Sequence, residues 1–128
     1  MMLDANHEIE PYDEWDGEIA SSTISELVFP TGVGGVYYPH GSLADIVTNI
    51  DEALALAPHG DDIWLKAMAC LNSVPAKKVN REKRFDLDFH VIKRHQDIGL
   101  FYENVQLGRN DEQLKNVFTR FNIQFEKA

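Results

Sequence analysis

Cationic side chains are missing from the first half of this chain. Residues 1–65 hold thirteen Asp and Glu and no Lys or Arg, whereas residues 66–128 hold twelve Lys and Arg against eight Asp and Glu. The formal net charge of −9 disfavours general DNA or RNA binding, which depends on cationic contacts to phosphate. Cysteine is nearly absent as well. A lone Cys70 excludes an internal disulfide and a cysteine-built zinc site. Within the apolar run Ala67-Met68-Ala69-Cys70-Leu71 it reads as a buried structural thiol. No apolar run reaches the roughly eighteen residues that a membrane-spanning helix needs. The acidic lead contains no hydrophobic signal region, so a cytoplasmic setting is expected, with the inner face of a membrane as a variant for a membrane-associated parent. Internal repeats, low-complexity tracts and domain linkers are also lacking.

The chain does have enough material for one ordinary domain. It has 128 residues, 44% of them hydrophobic, with seven Phe, four Tyr and two Trp, which argues against wholesale disorder. Residues 1–18 read as an irregular acidic lead whose aromatics, Tyr12 and Trp15, anchor on the body. Residues 19–128 read as a single domain. Seven of the twelve basic residues fall between Lys77 and Arg94. This segment reads as a solvated loop of mixed charge, or as a contact for a small anion such as a nucleotide diphosphate.

Local patterning suggests both strands and helices. Ile24, Leu27, Val28 and Phe29 predict a short extended segment ending at Pro30. Val33 to Tyr38 predicts a strand, because Val36, Tyr37 and Tyr38 favour β structure. Within it Gly34 and Gly35 predict a bulge or unusual dihedrals. Ser42 is placed to cap a helix whose face comprises Ile46, Ile50, Ala53 and Leu54. Pro58-His59-Gly60 stops that helix. A second helix starts at Asp61-Asp62, and its broad apolar surface (Trp64, Leu65, Met68, Leu71) predicts a central position. Val74 to Val79 predicts a turn into a short strand. Alternation of Phe85, Leu87 and Phe89 with Arg84, Asp86 and Asp88 predicts a half-exposed strand. Val91 to Gly99 reads as a loop or a broken helix. Asn110 and Gln113 suggest a capping box for a final helix with Leu114, Val117, Phe118 and Phe121 on one face.

Two segments offer chemistry. In Gly60-Asp61-Asp62-Ile63-Trp64-Leu65-Lys66-Ala67, adjacent carboxylates open an otherwise apolar helix. One could cap the helix while the other, Asp62 by preference, accepts a proton from an attacking hydroxyl. In Gly32-Val33-Gly34-Gly35-Val36-Tyr37-Tyr38-Pro39, Gly34 and Gly35 leave backbone amides uncovered, and Tyr37 and Tyr38 alternate across the chain. Neither the Walker nor the dinucleotide spacing is present. His40 and His59 flank these segments and could donate to phosphate or ligate a divalent metal. Exposed loop histidines without such roles are the commoner case. Trp64 reads as core, or as the apolar floor of a binding site.

Thr31 to Pro39, followed by Asp61 to Ala67 and by Asn110-Asp111-Glu112-Gln113-Leu114, resembles the C-terminal half of bacterial nucleotide-sugar glycosyltransferases of capsule and cell-surface polysaccharide biosynthesis. The resemblance runs from about Trp15 to Phe121. It implies an α/β (or α+β) fold, a partial GT-A-like domain with a small central sheet and about three main helices. It implies glycosyl transfer from a nucleotide-sugar donor to a carbohydrate acceptor, with a divalent metal (Mn or Mg) in the full-length parent. Asp61 and Asp62 would be catalytic, and Gly34, Gly35, Tyr37, Tyr38, His40, His59 and Trp64 would bind substrate. The chain departs from the family pattern at His40, where a second proline is usual. A nucleotide-binding N-terminal half carrying an Asp-x-Asp metal motif would be missing. Asp86-Leu87-Asp88 has that spacing but follows the other motifs, and is not assigned the role.

The alternative expectation is a non-catalytic carbohydrate- or protein-binding domain. It would use Tyr37, Tyr38 and Trp64 as apolar contacts and the acids as hydrogen-bond acceptors. A plain structural domain, with acids serving only solubility, is a third.

Overall fold

The computed structural model describes residues 1–79 and 108–125. Three α-helices organise them: α1 at Ile50–Leu56, α2 at Asp61–Leu71 and α3 at Arg109–Phe121. Short 3-10 turns occupy Tyr12–Glu14, Gly32–Gly34 and Asp45–Thr48.

Helix α2 is the centre of the domain, as its apolar surface predicts. Ile63, Trp64, Lys66, Ala67, Met68 and Ala69 are all buried along it. Helix α3 packs across it with Leu114, Val117 and Phe118 facing inward, and Phe121 sits at the edge of the same cluster. The i, i+3, i+4, i+7 spacing of these four residues puts them on one helical stripe, the condition for burying a single face. Trp64 and Phe121 meet edge-on with ring centroids 5.8 Å apart, and the Trp64 indole N–H donates to the Val47 carbonyl at 3.0 Å. That bond lets a large aromatic enter the core without an unpaired donor.

Two expected helix starts move. Ser42 is buried and caps nothing. Asn49 caps α1 instead, its side-chain oxygen accepting the Glu52 amide at 3.2 Å. The long helix expected from Ser42 onward is therefore broken into a 3-10 turn and a short α-helix. This break dissolves the single face of Ile46, Ile50, Ala53 and Leu54: Ile50 and Leu54 stand 61% and 57% exposed. At α3 the N-cap is Gly108, with φ of +66°, and Asn110 is buried as the second residue of the helix. Gln113 bonds elsewhere, so the expected capping box is not formed.

The strand expectations fail where they can be checked. Among the described residues there is no β-strand, and the β-type pairing consists of two isolated bridges, Leu3 with Ile9 and Ser25 with Ala76. Val33 to Tyr38 has no neighbouring strand. Its first residues close into the turn Gly32–Gly34, and the unusual dihedral falls on Gly35, at φ of +85°. Residues 24–29 and 74–79 share only the Ser25–Ala76 bridge. The strand expected at Phe85, Leu87 and Phe89, and the segment Val91 to Gly99, lie outside the described residues. The α/β or α+β class with a small central sheet is therefore corrected to an α-helical domain among the described residues. The physical reason is pairing: β-favouring side chains make a strand only beside a partner backbone, and among the described residues none pairs with Val33 to Tyr38.

Candidate functional site

The two motifs do meet. The amide of Gly32 donates to both carboxylate oxygens of Asp62, at 2.9 and 3.1 Å. Asp62 lies in the first turn of α2, where helix position fixes its direction and the positive end of the helix dipole favours its charge. Its carboxylate thus fastens the start of the glycine segment to the head of the central helix. Gly32 suits this contact, since a Cβ there would stand 3.2 Å from the Asp62 oxygen.

The electrostatics reflect partial burial. Burial raises the Asp62 carboxyl above its ordinary value, with Asp61 adding to the rise and the Gly32 amide opposing it. Tyr38 is raised first by burial and then by the charges of Asp62 and Asp61. Tyr12 is raised by burial and by Asp62. Asp62 therefore lies among the Gly32 amide, Tyr38 and the Tyr12 turn, while Asp61 is exposed and makes no ion pair among the described residues.

The acidic lead is bound into the same region. The Tyr12 amide donates to Asp111 at 2.7 Å, tying the lead to the first turn of α3. Tyr12, Trp15 and Phe29 form an aromatic group, with Tyr12 and Trp15 centroids 4.6 Å apart and Trp15 and Phe29 centroids 5.4 Å apart. The heads of α2 and α3 are joined by Gln113, which accepts the His59 amide at 2.8 Å and donates to the Arg109 carbonyl at 3.1 Å.

Of the residues expected at the site, Asp61, Asp62 and Tyr38 come together with the glycine segment, and His59 reaches the same region through its backbone. Tyr37 is 86% exposed and Val33 70% exposed. Gly34, Gly35 and His40 are exposed on the same stretch. Trp64 points the other way, into the core against Val47 and Phe121. The residues that sequence reading passed over are the connectors. Tyr12, Asp111 and Gln113 join segments 54 to 99 residues apart, and no local pattern announces such bonds.

A second polar group lies deeper. Lys66, 2% exposed, donates its ammonium to the Glu26 carbonyl and lies beside Cys70 one turn along the helix. Burial lowers the Lys66 amine and raises the Cys70 thiol. A single lysine inside the apolar run Ile63 to Leu71 was the available signal.

No family model, curated protein or solved structure matches the chain. Among the described residues no three His, Cys, Asp or Glu side chains converge to hold a metal ion. Asp86 and Asp88 lie outside the described residues. With no sheet among the described residues either, the resemblance to nucleotide-sugar glycosyltransferases is overturned. The same findings correct what it implied. The described residues build no GT-A-like catalytic module for glycosyl transfer in capsule or polysaccharide biosynthesis. They form no sheet-borne site for a nucleotide-sugar donor and a carbohydrate acceptor, and no sheet that a nucleotide-binding N-terminal half would extend. What remains is a helical domain among the described residues. No helix among the described residues is long and apolar enough to cross a membrane.

Proposed function

We propose that this chain is a non-catalytic protein-binding domain whose contact surface is the loop from Thr31 to His40, together with the acids at the head of α2. The observation that carries this reading is the anchored exposure of Val33 and Tyr37. A loop that only connects elements has no need to hold two large apolar side chains in water. Here they stand on a segment fastened at Gly32 by Asp62. Anchoring lowers the ordering cost on binding, and tyrosine offers a large, stiff, amphipathic contact.

In this reading Asp62 and Tyr38 hold the loop, Tyr37 and Val33 make the apolar contact, and Gly34 and Gly35 let a partner backbone come close. Asp61, His40 and His59 supply the polar rim. Trp64 supports the site from beneath by holding α2 against α3. The cytoplasmic setting belongs to the same proposal and is supported by the free thiol of Cys70.

The test is selection of a random peptide display library on the folded chain. Selection against the double variant Val33→Ser, Tyr37→Ser runs in parallel. The expected result is a family of binders that the double variant loses while keeping its helical circular dichroism. Absence of any binder, or equal binding by the double variant, rejects the reading.

A further inference from the structure

Lys66 and Cys70 take no part in the exposed loop, and packing alone gives the lysine no reason to be where it is. It stands 2% exposed in the middle of the central helix. Its ammonium donates to the Glu26 carbonyl and lies against the Cys70 thiol, with the Glu26 carboxylate in the same surroundings. Residues four apart share a helix face, so α2 itself sets amine and thiol side by side. An uncharged side chain of similar length, such as methionine, would fill the place without taking a charge out of water. Cys70 is partly exposed, which leaves its sulfur open to a small solute, whereas the amine is shut away from solvent.

We propose that Lys66 and Cys70 are a peroxide-responsive pair, in which oxidation of the thiol ends in a covalent bond between Cys70 Sγ and Lys66 Nζ. This inference is independent of the protein-binding reading. In the first step the Cys70 thiolate attacks one oxygen of hydrogen peroxide. The O–O bond breaks, sulfur is oxidised to the sulfenic acid, and the peroxide is reduced, leaving as hydroxide. The Lys66 ammonium gives that hydroxide a proton and becomes the neutral amine. In the second step the amine lone pair attacks the sulfenic sulfur. The S–O bond breaks, and the departing hydroxyl leaves as water with a proton from nitrogen. Thiol, amine and one peroxide thus give one S–N bond and two waters. Burial lowers the Lys66 amine, which favours release of its proton. Burial raises the Cys70 thiol, the ammonium opposes that rise and Glu26 adds to it, so the first step is slow and the pair answers to sustained rather than trace peroxide. The new bond takes Nζ away from the Glu26 carbonyl, the contact that ties that segment to α2.

The experiment treats the full chain with hydrogen peroxide and reads masses on a proteolytic digest, which separates methionine oxidation from changes at Cys70. The expected product joins Cys70 to Lys66 with a loss of about 2 Da, the two hydrogens given up to the new bond, and dithiothreitol restores the starting mass. Trypsin cuts after Lys66 in the untreated chain and no longer does so in the product. Lys66→Met removes the product and leaves Cys70 to gain about 32 Da as the sulfinic acid, which dithiothreitol does not reverse. Gain of oxygen at Cys70 in the wild type without the linked product overturns the inference, as does a disulfide between two chains. A product of the same mass in Lys66→Met places the bond on another nitrogen and also overturns it. Should Lys66→Met fail to fold, the wild type decides alone: full tryptic cleavage after Lys66 in the oxidised chain refutes the link.

Discussion

Asp62 works as a structural anchor through two bonds to a single amide. Its charge is partly desolvated, and the folded state therefore holds a proton on this carboxyl more tightly than the unfolded chain does, whose value is near 3.8. The sign follows from linkage. A carboxyl raised on folding adds stability below its unfolded value, and this is lost as pH rises through its folded value. Asp62→Asn keeps an oxygen for Gly32 and removes the charge. Compared by urea denaturation, wild type should gain on Asp62→Asn as pH falls from 7 toward 4. Asp62→Ala removes the acceptor altogether and should cost about 1–3 kcal/mol at pH 7, with faster hydrogen exchange at Gly32. Equal exchange at Gly32 in wild type and Asp62→Ala would refute the anchor. The adjacent acids were legible as the start of α2, although its N-cap is Gly60 and neither acid caps the helix. The partner of Asp62 was not, because the Gly32 amide lies thirty positions away in sequence.

At the scale of elements, apolar periodicity was read well in α2 and α3 but not in α1, and termini were read poorly. Leu114, Val117 and Phe118 face the core as their spacing predicts, and α2 is central as its broad apolar surface predicts. The caps went astray because capping is decided by which short polar side chain the tertiary fold leaves beside the free amides. Asn49 won over Ser42, whereas α3 opens at Gly108 with no side-chain cap at all. Gly60 shows how tightly the helix heads close. A Cβ there would come within 2.9 Å of Ile63 Cδ1 and 3.3 Å of both Gln113 side-chain polar atoms. Gly60→Ala should therefore destabilise the domain by about 1–3 kcal/mol, the usual cost of overpacking, read as a lower urea midpoint at unchanged slope. The salt bridge of Glu52 with Arg120 at 2.9 Å links α1 to α3, but its exposure limits it to about 1 kcal/mol or less.

For the whole molecule, the acidic excess is a burden. A formal net charge of −9 repels itself, most strongly in the cation-free first half. Raising ionic strength from about 10 mM to about 150 mM shortens the screening length from roughly 30 to 8 Å. The thermal midpoint should rise by a few degrees, corresponding to about 1 kcal/mol of relieved repulsion. A midpoint that falls with added salt would mean that attractive pairs dominate instead. Lys66 is the counterexample to treating charge as surface: it sits in the core, with its ammonium held by a backbone carbonyl.

Composition and spacing alone determined that the chain carries a central apolar helix, a second amphipathic one and an acidic first half without Lys or Arg. Those properties are local or additive, so the order of residues contains them. Whether Val33 to Tyr38 became a strand was decided only in three dimensions. β structure needs a second backbone at the right distance, and among the described residues the fold puts none there, closing Gly32–Gly34 into a turn held at Gly32 by Asp62. The tertiary fold also decided that Tyr37 stands in water and Trp64 in the core, a distinction that two aromatic residues in a sequence do not carry.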